Sequence, residues 1–134
     1  MIQKSILLLF FLTSIYCNSQ TLEAVYKMKS DYQKCLNKGQ NMRNCAFEYY
    51  NKSDSLLNVS YKNLKAKMSS KEQSKLKKDQ LEWLKKRDQF FQKVYSDTKK
   101  EGNFNEGTQD FEMIIYDEQA KFVFGRVKEL INKG

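Results

Sequence analysis

The chain contains no histidine, which removes the commonest general base and the commonest metal ligand. It contains no proline and only five glycines, so few positions force a helix to stop. There is no glycine-rich phosphate loop and no Ser–Lys dyad of recognisable spacing. After residue 20 no run is apolar for long enough to span a bilayer. These absences argue against an enzyme, and no catalytic, cofactor-binding or metal-binding residue is assigned. A pair of carboxylates could still act as acid and base. The candidates Asp79, Glu82 and Asp88, however, fall on a helix face expected to lie exposed among lysines.

The first residues have the organisation of a secretory signal peptide. Lys4 forms a short basic region, residues 6–15 are mostly apolar, and Cys17-Asn18-Ser19 places small residues around a cut after Ser19. Residues 1–19 are therefore read as a signal peptide and 20–134 as one domain, periplasmic or secreted. The rival reading is a lipoprotein signal with lipid on Cys17, which the bulky Tyr16 disfavours. Cleavage after Ser19 leaves Cys35 and Cys45. An even pair in an oxidising compartment reads as one disulfide, closing a short loop around Gly39. The alternative is two free thiols.

Acidic residues are the minority. The net charge is +8, and loss of Lys4 leaves 23 basic against 16 acidic residues, or +7. Lysines are dense from Lys62 to Lys78 and recur at Lys85, Lys86, Lys93, Lys99 and Lys100. Such a surface favours an anionic envelope polymer, glycan or lipid, over nucleic acid, because no aromatic side chains interleave the lysines as a base-stacking platform requires. The plainer reading is a solvated helix face.

What is abundant is helix-forming sequence. Four helices are expected, over residues 22–36, 42–68, 71–97 and 109–132, with breaks at Asn37–Gln40, Ser69-Ser70 and Gly102–Gly107. Ser69 with Glu72, or Ser70 with Gln73, fits a capping box, and Thr108 caps the last helix. The second helix carries an apolar seam, Phe47, Tyr50, Asp54, Leu57, Tyr61, Leu64, Met68. The third carries another, Leu76, Gln80, Trp83, Arg87, Phe90, Val94. Folding back at Ser69-Ser70 makes the two antiparallel and sets Leu57 opposite Trp83, Tyr50 opposite Phe90 and Asp54 opposite Arg87. The expected fold is all-α: a small monomeric helical bundle built on a long antiparallel hairpin, with one disulfide and a helix packed at each end of the chain.

Asp54 and Arg87 interrupt these seams with opposite charges, which suggests a buried pair that fixes register. Asn58 and Tyr61 share a face with Asp54, as Gln80 and Trp83 do with Arg87. A polar cluster with aromatic walls follows, with Gln80 in reach of the Tyr61 hydroxyl. It reads as a structural device in preference to a ligand pocket.

The same residues carry a resemblance. Cys35 and Cys45, then Asp54-x-x-Leu57-Asn58-x-x-Tyr61, then Leu76-x-x-x-Gln80-x-x-Trp83-x-x-x-Arg87-Asp88, resemble the LprI-like lysozyme-inhibitor family. The likeness covers residues 35–91, with Arg126 and Leu130 extending it. Members often carry a further cysteine just after the Arg-Asp and another in the last helix, whereas this chain has Phe90-Phe91 and no late cysteine. The resemblance implies an exported helical domain that inhibits lysozyme, or a related peptidoglycan hydrolase, by protein–protein contact. Lysozymes of that kind are cationic, so a basic inhibitor needs a local acidic patch. The one acidic segment holds Glu101, Glu106, Asp110, Glu112, Asp117 and Glu118, and its first four acids with the loop Gly102–Gly107 are the expected partner-binding element.

Overall fold

The computed structural model describes residues 22–134. The signal segment, Cys17 and the expected mature terminus at Gln20 lie outside the described residues. Four helices follow in order: α1 (Leu22–Leu36), α2 (Met42–Ala66), α3 (Ser70–Glu101) and α4 (Gln109–Lys133). The described residues contain no strand, and the fold is all-α.

Each break has a local cause. Gly39 (φ 66°) and Asn41 (φ 53°) both take the left-handed conformation between α1 and α2, which glycine and asparagine adopt at least cost. Ser69 caps α3 in a full capping box: its side chain accepts from the Glu72 amide, and the Glu72 carboxylate accepts from the Ser69 amide at 2.8 Å. Gln73 then donates its side-chain amide to the carbonyls of Lys65 and Met68, at 3.0 and 3.1 Å. Those bonds satisfy the open end of α2 and fix the corner. Gly102 (φ 67°) ends α3, and the Thr108 side chain accepts from the Phe111 amide to start α4.

The last helix is the centre of the molecule. Packing between helices is most extensive for α2 against α4. These two run parallel, with Arg43 bonded to Glu112 at one end and Leu64 beside Gly134 at the other. The close approach has a sequence cause. Ala46, Ser53 and Ser60 are buried on α2, seven residues apart on one stripe, and Ala120, Val123 and Val127 are buried on α4. Small side chains there leave room for the opposing backbone. Tyr49, Leu56, Leu57 and Leu64 fill the flanks of the stripe.

α2 and α3 are antiparallel, as their tight corner requires, and Tyr50 meets Phe91 across them with ring centroids 6.0 Å apart. The expected residue-by-residue seam between them does not form. Phe90 and Trp83 both stack on Phe122 of α4, at 4.3 and 5.8 Å, because α4 takes the apolar side chains of α3 that the seam assigned to α2. Phe47, placed in that seam, is an exposed residue beside Tyr116.

α1 has one buried residue, Val25, and lies against α2 through the Tyr32–Tyr49 stack at 4.3 Å and the Cys35–Cys45 disulfide. The two Cα atoms are 5.8 Å apart, within the usual range for a bridge. Replacing both cysteines with alanine should lower the unfolding free energy by about 2–3 kcal/mol, the chain-entropy value for so short a loop. Urea unfolding of the variant beside the parent measures this. With so little of α1 buried, its amides should lose exchange protection first, and an unchanged urea midpoint would show that the bridge adds nothing.

Candidate functional site

The polar residues singled out in the sequence do not assemble as one cluster. Asp54 is half-buried and forms no ion pair among the described residues. Arg87 turns to its neighbour Asp88 at 2.7 Å and lies over the rings of Trp83 and Phe91, at 6.0 and 5.7 Å. Tyr50 lies within the field of both expected partners. Burial pushes its phenol above the usual range, Asp54 adds to the shift, and Arg87 opposes it. Asn58 is exposed and donates to the Asp54 carbonyl of its own helix at 3.1 Å. Tyr61 packs half-buried against the core. Gln80 bonds to α4, not to Tyr61.

The buried charge is Arg126, which the polar-core assignment had left out. It is 3% exposed and projects from α4 toward α3. Its Nε and Nη2 both donate to Gln80 Oε1 at 3.0 Å, Nη2 also reaches Asp79 Oδ2 at 2.7 Å, and Nη1 reaches Glu129 Oε2 at 2.9 Å. The guanidinium lies 5.8 Å from the centre of the Trp83 ring. Every nitrogen of the fork thus has a partner, and the positive charge faces two carboxylates and an aromatic surface. The Arg126 hydrogen bond holds the Asp79 carboxyl below the usual range, partly opposed by burial and aided by Lys133 at 3.1 Å. The cluster pins α4 to the N-terminal third of α3.

Beside it lies a cleft of about 440 Å³ whose walls include Glu82, Trp83, Lys86, Lys121 and Phe122. Its acids and bases are surface groups flanking a buried ion pair, and it pairs no nucleophile with a base. Among the described residues no group of three or more histidines, cysteines, aspartates or glutamates is placed to hold a metal ion.

The four acids of the expected binding element surround the exposed turn between α3 and α4: Glu101 ends α3, Glu106 lies in the turn, and Asp110 and Glu112 begin α4. Two of these four are engaged, one holding the turn to α3 and the other tying the start of α4 to α2. Glu106 pairs with Lys99 at 2.6 Å and accepts the Tyr95 hydroxyl, and Glu112 pairs with Arg43 at 2.6 Å. Only Glu101 and Asp110 are exposed and outside any ion pair of the described residues. The acidic patch is thus weaker than the sequence suggests. In exchange the turn is braced. Left-handed Gly102 and Gly107 bound it, the Asn105 carbonyl accepts from both the amide and the hydroxyl of Thr108, and Phe104 stands 39% exposed at its tip.

Compared with known proteins, residues 32–130 match the family model described as Lysozyme inhibitor LprI. That span includes both cysteines, Arg126 and the turn. No curated protein and no solved structure matched the chain.

Proposed function

Since the chain belongs to the lysozyme-inhibitor LprI family, we propose that it is exported and inhibits a lysozyme, or a related peptidoglycan hydrolase, by protein–protein contact through the α3–α4 turn. The family membership carries this reading. No described helix is long and apolar enough to cross a membrane, and the signal-like first residues supply the argument for export. The turn supports the choice of surface. A braced loop loses little conformational freedom on docking. An exposed aromatic at its tip is the kind of side chain that anchors in a cleft. Glu101 and Asp110 are the carboxylates placed to meet a cationic partner.

Peptidoglycan lysis by a cationic lysozyme, with and without the purified oxidised protein, tests this. Inhibition should saturate near equal molar ratio and persist at moderate salt. Phe104→Ala should weaken it by about tenfold or more, as loss of an interface anchor does. Lysis undiminished at a large excess of protein would overturn the inhibitor reading. Full inhibition by Phe104→Ala would keep the reading and move the contact off the turn.

A further inference from the structure

We propose that the α2–α3 corner is a binding surface for a linear polyanionic glycan, one bearing repeated carboxylate, phosphate or sulfate groups. The proposal stands independently of lysozyme inhibition.

Seven lysines lie between Lys62 and Lys78, with Glu72 as the only acid among them. All seven are exposed, and none forms an ion pair among the described residues. Elsewhere paired and unpaired lysines are mixed, and no other stretch carries so many unpaired ones so close together. Lys93, Lys99, Lys121 and Lys133 each pair with a carboxylate. Glu72 is occupied by the capping box, where it accepts from the Ser69 amide and hydroxyl, so its charge serves the helix end. The bonds from Gln73 to Lys65 and Met68 hold the two helix ends together, and the lysines of both therefore share one end of the molecule.

This arrangement is unfavourable for the protein alone. Lys71 and Lys75 are like charges four residues apart on α3, and so repel. Lys71 also stands in the first turn, where the helix dipole favours acids. A polyanion removes both penalties. Lys71, Lys75 and Lys78 share one face of α3 and rise by roughly 4.5–6 Å from one to the next. The whole row fits within about one Debye length at 0.1 M salt, so their fields add.

The occupant follows from what surrounds the lysines. No large exposed hydrophobic residue lies between Lys62 and Lys78, which leaves nothing to insert into a bilayer. The lysines also come off two helices around a bend, a shape that a flexible chain can follow and a flat membrane meets on one side only. Tyr61, the nearest aromatic, is packed against the core and offers no face on which a nucleic-acid base can stack. Glu101 and Asp110 stand at the far end of α3, roughly 45 Å away at helical rise. A polymer on the corner leaves the turn free.

Fluorescent dextran sulfate is the probe, titrated with the oxidised protein at low and moderate salt. Neutral dextran, phosphatidylglycerol-containing vesicles and single-stranded DNA are measured alongside. Two variants remove equal charge in different places: Lys71, Lys75 and Lys78 to glutamine, and Lys85, Lys86 and Lys100 to glutamine. The corner variant should lose about tenfold or more in affinity at low salt and the other less than about threefold, with binding by the parent falling steeply as salt rises. Unchanged thermal midpoints would confirm that both variants fold. Equal losses in the two variants, absence of binding, or tighter binding to vesicles or DNA would each overturn the proposal. Lysozyme inhibition by the corner variant should match that of the parent, which separates failure here from failure of the inhibitor reading.

Discussion

Replacing Trp83 with alanine is expected to lower the unfolding free energy by about 3–5 kcal/mol, the largest effect of any single substitution considered. α3 is 32 residues long, yet its buried residues are only Leu76, Trp83 and Thr98. Trp83 is the largest of them, stacked on Phe122 and flanked by the guanidinium groups of Arg87 and Arg126. Alanine would leave a void that neither arginine can fill with apolar atoms, and would take away the aromatic surface that faces the buried Arg126 charge. Because Trp83 is the only tryptophan, unfolding of the variant must be followed by far-ultraviolet circular dichroism during a urea titration. A loss under about 1 kcal/mol would mean that α3 is held chiefly by Phe90, Phe91 and Tyr95.

Arg126→Ala should cost about 2–4 kcal/mol, and Arg126→Met roughly half as much, because methionine restores the buried stem without the charge. The difference rests on exposure. Asp79 and Glu129 are 46% and 59% exposed, so the carboxylates regain water when the arginine goes, and the penalty of leaving a buried charge unpaired is largely avoided. The acid limb offers an independent reading. In the parent the Asp79 carboxyl titrates below its ordinary value of 3.8. Its contribution to stability is therefore fully present above that value and is lost as pH falls through the lower folded one. The gap between the parent and Arg126→Met should accordingly narrow below about pH 4. A gap that stays constant down to pH 2 would remove Asp79 as the partner that matters.

The helices could be read from the sequence, because their signals are local. Both ends of α1, the starts of α2 and α4, the Ser69 capping box and the Thr108 cap all fall where the sequence places them. The faces could be read only in part: Leu57, Leu64, Leu76 and Trp83 of the expected seams are buried, and the rest went astray over what counts as a core residue. The apolar seam expected on α2 ran through Phe47, Tyr50 and Asp54. The buried stripe runs one position over, through Ala46, Tyr49, Ser53, Leu56 and Ser60. Two serines and an alanine carry little hydrophobicity, and they are buried because α4 needs a shallow surface to approach. Arg126, named in the family likeness, was left out of the polar core for a related reason. α4 is apolar around most of its circumference, so no single polar face marks which charged residue points inward. The available signal was its setting between Phe124 and Val127, together with the acid and amide at Asp79 and Gln80. In the turn, the sequence shows the acids but not the tertiary pairs with Lys99 and Arg43 that neutralise half of them.

The central place of α4 bears on the order in which the fold can be completed. The 25 residues of that helix follow α1, α2 and α3 in the sequence, yet they supply the surface against which both α2 and α3 bury their apolar side chains. Until they emerge, the earlier helices have the corner, the Tyr50–Phe91 contact and the α1–α2 contact to hold them. Helices with so little to pack against are marginal in water. A growing chain of this kind cannot collapse into its final form before α4 is made. Completion of the fold therefore waits on α4, the helix that both α2 and α3 pack against.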